Sequence, residues 1–180
     1  MIRRFGSVPQ AGRAYERRAG AYAVLARGDR LLVTCQHGSE PDYQLPGGGI
    51  DPGESPTMAL HREVYEETGW HISTPRRIGT FRRFVYMPEY DLWAEKICMI
   101  FLARPTMKIG PPTEPDHSAH WMTTDVAVRS LSNAGDRFFA RSFLPDVARR
   151  AFVDHERHSA HVHDGENWTP EPPRSAPGVA

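Results

Sequence analysis

Three glutamates at positions 63, 66 and 67, with three consecutive glycines at 47–49 ahead of them, are the residues of this 180-residue chain best suited to chemistry. The stretch from Gly48 to Trp70 reads GGIDPGESPTMALHREVYEETGW. On a helix, Glu63, Glu66 and Glu67 stand at i, i+3 and i+4, within about 100° of helix surface. Like charges at that spacing cost about 0.2–0.5 kcal/mol per pair. Arg62 lies one turn before Glu66, but no lysine or arginine stands three or four residues from Glu63 or Glu67. A bound divalent cation would remove this repulsion, and oxygen-only ligands select a hard ion such as Mg²⁺ or Mn²⁺. The glycines let main chain approach an ion and phosphate oxygens without side-chain obstruction. The chemistry suggested is metal-assisted attack of water on phosphorus, with a carboxylate taking the proton. Without the glycine loop, the same carboxylates also read as a solvated acidic face.

These residues need a helix and a loop with fixed ends. Ser55 suits the N-cap, Pro56 the first helical position, and Gly69 the left-handed residue past the end. Thr57, Leu60, Val64 and Thr68 recur at three and four, predicting a side that packs on a sheet. Ahead of the helix, apolar runs at Ala19–Ala26 and Leu31–Gln36 flank Gly28-Asp29, a hairpin signal. Tyr43-Gln44-Leu45 makes a short strand leading into Pro46 and the glycines. After the helix, Ile78–Met87 and Trp93–Ala103 read as strands around a turn at Pro88–Asp91. The run Ile97–Leu102 is apolar at both parities, as in a strand covered on both faces. Residues 104–118 are proline-rich and read as a loop, followed by a short strand at His120-Trp121-Met122. A helix capped by Thr124 or Asp125 runs to Leu131, and a last one runs from Gly135 to about Phe152, interrupted at Pro145.

Bulk properties exclude several classes. The length suits one domain, and the formal net charge is zero, so no global footprint for nucleic acid is present. No apolar run is long enough to span a bilayer, and no hydrophobic segment follows the basic amino terminus. Cys35 and Cys98 lack metal-binding spacing and read as two reduced thiols, which predicts a cytoplasmic protein. From about His155 the composition turns to His, Pro, Ser and charge, the signature of a disordered tail.

Gly, five residues, Glu, seven residues, then Arg-Glu-apolar-x-Glu-Glu-x-Gly-apolar resembles the Nudix box of the Nudix hydrolase family, and every defining position is filled. The resemblance implies an α/β fold, an α/β/α sandwich with a mixed β-sheet. Its domain would span residues 19–153, with 1–18 a lead-in and 154–180 the tail. It further implies that Glu63, Glu66 and Glu67 are catalytic and bind metal, with the Gly47 carbonyl as another ligand and Mg²⁺, or Mn²⁺, as cofactor. Glu63 is our choice of general base. Glu54 and Arg62 would pair to pin loop to helix, making Arg62 scaffold rather than substrate clamp, and Gly48 and Gly69 would be structural. Some family members take a further acidic residue from a later loop. Glu114 is the candidate here, with Asp116 and His117 behind it, and a solvated charge is the other reading.

Arg82, Arg83 and Tyr86 fall where the family builds substrate pockets, although a packed strand tyrosine fits Tyr86 as well. The implied reaction is cleavage of the diphosphate linkage in a nucleoside diphosphate joined to another moiety. The expected partner is therefore a small nucleotide-like diphosphate, with no membrane. RNA 5′ ends are the only nucleic acid left open, and a homodimer is open too. The alternative is a Nudix-fold module that senses a nucleotide without turnover.

Overall fold

Gly28, at φ +60°, turns the chain between β2 (Glu16–Arg27) and β3 (Arg30–Gln36), which pair antiparallel from Arg27↔Arg30. Residues 2–38 and 40–143 are described by the computed structural model. β1 (Arg3–Arg4), β7 (Arg76–Met87), β8 (Leu92–Ala103), β2, β3 and β10 (His117–Thr123) follow one another across a mixed sheet. β1 runs parallel to β7 and β2 parallel to β8, whereas β7–β8 and β3–β10 are antiparallel. Two short strands hang on this path: β4 (Asp42–Gln44) pairs with β3, and β5 (Gly47–Gly49) pairs with β2. β2 thus serves three neighbours, β8 along one edge and β3 and β5 in succession along the other. The chain gapes between its β3 and β5 partners, and the site lies at that gap.

Period-two alternation sends the two halves of the core to opposite faces. Ala21, Ala23, Leu25, Leu32, Phe101 and Ala103 pack against Ala59, Leu60 and Val64 of α1 (Pro56–Thr68). Each fully buried leucine or valine contributes about 1.5–3 kcal/mol. Val24, Leu31, Val33, Phe81 and Ile100 take the alternate positions and are buried as well. There α2 (Thr124–Ser130) lies beside β3 and β10, and Phe139 of α3 (Ala134–Ala140) stacks on Phe81. The result is the expected α/β/α sandwich with a mixed sheet. Among the described residues, no helix is long and apolar enough to cross a membrane.

Several boundaries differ from the sequence reading. β1 and the start of β2 fall within the expected lead-in 1–18. Thr57 is exposed and Ala59 takes its place on the packed side of α1. Residues 105–108 of the expected loop form β9 (Pro105–Lys108), which pairs with β6 (Trp70–Ile72). α3 ends at Ala140 and passes into a 3₁₀ turn at Arg141–Phe143. The predicted continuation to Phe152 and the tail at 154–180 lie outside the described residues.

The α3 layer leaves no room at Gly135, where an added Cβ would run into the Phe81 ring. Phe81 is 1% exposed and cannot swing away. Gly135→Ala is therefore expected to destabilise the fold by about 1–3 kcal/mol. A denaturant midpoint equal to that of the parent protein would contradict this packing.

Candidate functional site

α1 begins and ends as its sequence dictates. The Ser55 hydroxyl accepts from the Met58 amide at 3.2 Å, and Gly69, at φ +70°, donates its amide to the Tyr65 carbonyl at 2.7 Å. Arg62, midway along, grips the loop that precedes the helix. Its Nε and Nη2 donate to the two Glu54 carboxylate oxygens at 3.1 and 2.9 Å, and Nη2 also donates to the Gly49 carbonyl at 3.1 Å. Its Nη1 turns the other way, to Glu63 at 2.7 Å and Glu66 at 3.1 Å. The sequence expectation that Glu63 lacks a cation is thereby corrected. The partner is the adjacent residue, which the i±3 and i±4 rule does not count. The bidentate contact with Arg62 lowers the Glu54 carboxyl below its usual range.

β5 brings backbone to the carboxylates. Gly47 sits at φ +133°, accessible to glycine, and a Cβ there would collide with the Ala21 carbonyl. Its amide donates to Glu67 at 2.8 Å. A Cβ at Gly48 would overlap the Glu63 carboxylate. Glu67 is only 6% exposed, and burial pushes its carboxyl well above the usual value. The Gly47 amide opposes that shift, and the negative charges of Glu63 and Glu114 add to it. Glu63, half-buried, is raised by the same desolvation, with Arg62 pulling it down and Glu114 and Glu66 pushing it up.

Glu114 arrives by a route that sequence periodicity does not reveal. The β6–β9 ribbon lays residues 109–114 along the end of α1. Ile109 N–H donates to the Gly69 carbonyl at 2.9 Å, and the Thr113 and Glu114 amides donate to the Glu66 carbonyl at 2.7 and 3.2 Å. These bonds satisfy helix-end carbonyls that would otherwise be orphaned. Glu114 thereby reaches two groupings whose ligand atoms lie within 4.8 Å of one another: Glu63, Glu66 and Glu114, and Glu67, Glu114 and His117. His117 Nδ1 stands 2.8 Å from Glu114, and its Nε2 stands 3.6 Å from Glu67. His117 is thus the ring that faces Glu67, a contact the helical spacing rule could not anticipate.

Glu63, Glu67, Glu114 and His117 line a cleft of about 570 Å³ together with Gly47–Gly49, Tyr22, Arg83, Tyr86 and Lys96. Arg83 and Tyr86 border it. Arg82 does not. Alternation turns it to the other face of β7, where it pairs with Glu95 at 3.3 Å. The Tyr86 hydroxyl donates to Asp91 at 2.5 Å across the hairpin tip. Sequence reading missed Tyr22, Lys96 and Asp136. Tyr22 and Lys96 sit in strands whose apolar neighbours hide them, although Lys96 shares its parity with buried Cys98. Asp136, on α3, accepts from the Leu45 amide at 3.1 Å beneath the cleft.

Crowded carboxylates, with the carboxyls of Glu63 and Glu67 raised, glycine backbone and one imidazole make a donor set that fits a hard divalent cation. Comparison with known proteins agrees with this architecture. The NUDIX domain family model matches residues 15–147, and the chain belongs to that family. A putative 8-oxo-dGTP diphosphatase of Bacillus subtilis is 32% identical over 74 residues, 41% of this chain and 50% of that one. An RNA pyrophosphohydrolase of Photorhabdus laumondii is 63% identical over 62 residues, 34% of this chain and 35% of that one. The chain thus spans about half or less of the length of these relatives. A MutT protein structure from Bacillus halodurans superposes with TM-score 0.58 at 21% identity, covering 72% of this chain and 84% of that one.

The cleft floor carries a pH signature. Asp136 is buried, and desolvation raises its carboxyl above the ordinary 3.8, opposed by the Leu45 amide and the charges of Arg83 and Lys96. The folded form therefore holds this proton more tightly than the unfolded chain does. Its contribution to stability is complete below the unfolded value and is lost as pH rises through the folded value. Asp136→Asn is expected to gain on the parent protein in unfolding free energy as pH rises above the ordinary carboxyl value. Two stability–pH curves that stay parallel would contradict the assignment.

Proposed function

We propose that this protein is a Mg²⁺-dependent hydrolase, with Mn²⁺ able to substitute, that cleaves the diphosphate linkage of a nucleoside diphosphate joined to another moiety. The observation that carries the reading is that Glu63 and Glu67 from one helix and Glu114 from a separate loop line one cleft with the backbone of Gly47–Gly49, with Glu66 grouped beside Glu63 and Glu114. A solvated acidic face has no reason to recruit a fourth carboxylate against helix repulsion, or to bury Glu67. Relatives named as a diphosphatase and a pyrophosphohydrolase favour the same bond type.

Glu63, Glu66, Glu67 and the Gly47 carbonyl would hold the cation, with Glu114 completing the set. When bound, such an ion neutralises charge on the phosphoryl group and makes water a stronger acid. Glu63 then takes the proton of the attacking water. The water oxygen bonds to phosphorus, the bridging P–O bond breaks, and the departing phosphate carries the electron pair. Glu54 and Arg62 keep loop and helix in register and touch no reacting atom. Arg83 and Tyr86 border the substrate, while Arg82 stays with Glu95. The unpaired, buried Cys35 and Cys98 agree with a reducing, cytoplasmic setting.

Phosphate release from nucleoside triphosphates, nucleotide sugars, ADP-ribose, dinucleoside polyphosphates and triphosphorylated RNA ends tests the reading. Turnover should require the divalent ion, and Glu67→Gln should lower kcat by about 10²-fold or more while nucleotide binding persists. Nucleotide binding without hydrolysis of any panel member would replace the enzyme with a sensing module.

A further inference from the structure

The two ligand groupings of the cleft differ in chemistry. Glu63, Glu66 and Glu114 offer oxygen alone, whereas Glu67 and Glu114 are joined by the His117 imidazole. The members of the second grouping come from three elements. Glu67 stands on α1, Glu114 on the loop between β9 and β10, and His117 opens β10 in register with Gln36 of β3. The chain is tied at that point, since the His117 amide donates to the Glu114 carbonyl at 3.3 Å and the His37 amide to the Asp116 carbonyl at 2.8 Å. Glu67 is buried, and the His117 side chain is only 14% exposed.

The ring uses its two nitrogens differently. Nδ1 lies 2.8 Å from a Glu114 oxygen. A carboxylate accepts only, so the proton of that contact sits on Nδ1. Nε2 lies 3.6 Å from Glu67 Oε1, too far for a side-chain hydrogen bond. Glu67 Oε2 already accepts from the Gly47 amide at 2.8 Å. Oε1 and Nε2 thus face each other across a gap that suits two donors on one ion. In a tetrahedral set, bonds of about 2.0–2.2 Å put neighbouring donors roughly 3.3–3.6 Å apart. A histidine that ligates a metal through one ring nitrogen commonly gives the proton of the other to a carboxylate, the place Glu114 takes here.

We propose that Glu67, Glu114 and His117 form a second cation site, selective for a borderline transition ion such as Zn²⁺ or Co²⁺ over Mg²⁺. The inference rests on the hydrolase reading, whose metal wall supplies Glu67 and Glu114, and extends it to the identity of a second ion. Imidazole favours Zn²⁺ and its neighbours in the transition series, while Mg²⁺ prefers carboxylate, phosphate and water oxygens. The grouping of Glu63, Glu66 and Glu114 carries no nitrogen and keeps its preference for a hard ion. Glu114 belongs to both groupings, so the two ions would share one carboxylate residue.

Ring ¹⁵N NMR of the full chain, titrated with Zn²⁺ in excess Mg²⁺, tests the site without turnover. His117→Asn identifies the His117 signals by their loss, which separates them from the rest of the nine histidines. Asparagine keeps a donor near the Nδ1 position and removes Nε2. Mg²⁺ alone should leave the His117 Nε2 signal unmoved, and added Zn²⁺ should move it while Nδ1 keeps its proton. By calorimetry, His117→Asn should weaken the tightest Zn²⁺ site by about 10- to 100-fold and Mg²⁺ binding by less than about threefold. The wild-type titration stands even if the variant does not fold, because the ring can be assigned through its own backbone amide. A His117 ring unmoved at saturating Zn²⁺, or protonated on both nitrogens between the two carboxylates, overturns the proposal. Equal weakening of both ions overturns it too, since that marks a positioning role alone. Hydrolysis of substrates with no response of the ring sinks this site by itself. A ring that responds while no substrate turns over sinks the hydrolase reading instead.

Discussion

The guanidinium of Arg62 is the contact on which the remainder of the site depends. A planar fork with donors on two edges can bind Glu54 and the Gly49 carbonyl on the loop side while meeting Glu63 and Glu66 on the helix side. Lysine, a point charge, could not serve both. The contact fixes the glycine strand against α1, and that strand presents the Gly47 amide to Glu67. It also supplies the only guanidinium hydrogen-bonded to the carboxylates within the helix among the described residues. One side chain thus makes the acidic cluster tolerable and sets its geometry.

That tolerance is incomplete, which gives the site its character. Arg62 reaches Glu63 and Glu66 but not Glu67, which burial and neighbouring charge hold well above the usual carboxylate range. The neighbours of Glu67 include the Gly47 amide, the Thr34 side chain, the His117 ring and the carboxylates of Glu63 and Glu114. Such an arrangement is costly for an isolated protein, and a divalent ion held there would offset that cost. Strand divergence makes the space available. β2 pairs with β3 along one stretch and with β5 along another, and the cleft opens between them. Fold and electrostatics therefore point to one location.

Much of this was legible in the sequence because it is local. Ser55, Pro56 and Gly69 mark the ends of α1 by backbone chemistry, and the hairpin at Gly28 follows from one positive φ. The spacing of the box named the carboxylates. What escaped depended on distant partners. Pro105 and its three successors make a strand only because Trp70–Ile72 is present to pair with them, and Glu114 needs that ribbon to reach α1. Thr57 shares the spacing of Leu60 and Val64 but lies in the first turn of α1 and is exposed, whereas Ala59, outside that spacing, is buried. Arg82 and Arg83 look alike in sequence. Their fates differ because alternation sends one to Glu95 and the other to the cleft. Lys96 became visible only through its register with Arg83.

The central claim is that the Glu63, Glu66, Glu67 and Glu114 cluster on Gly47 is a divalent-metal site. Anomalous scattering from crystals grown with Mn²⁺ and a non-hydrolysable diphosphate tests it most directly. The expected result is a peak coordinated by carboxylates of this cluster and by phosphate oxygens of the ligand. A diphosphate bound in the cleft with Mn²⁺ absent from these residues would contradict it.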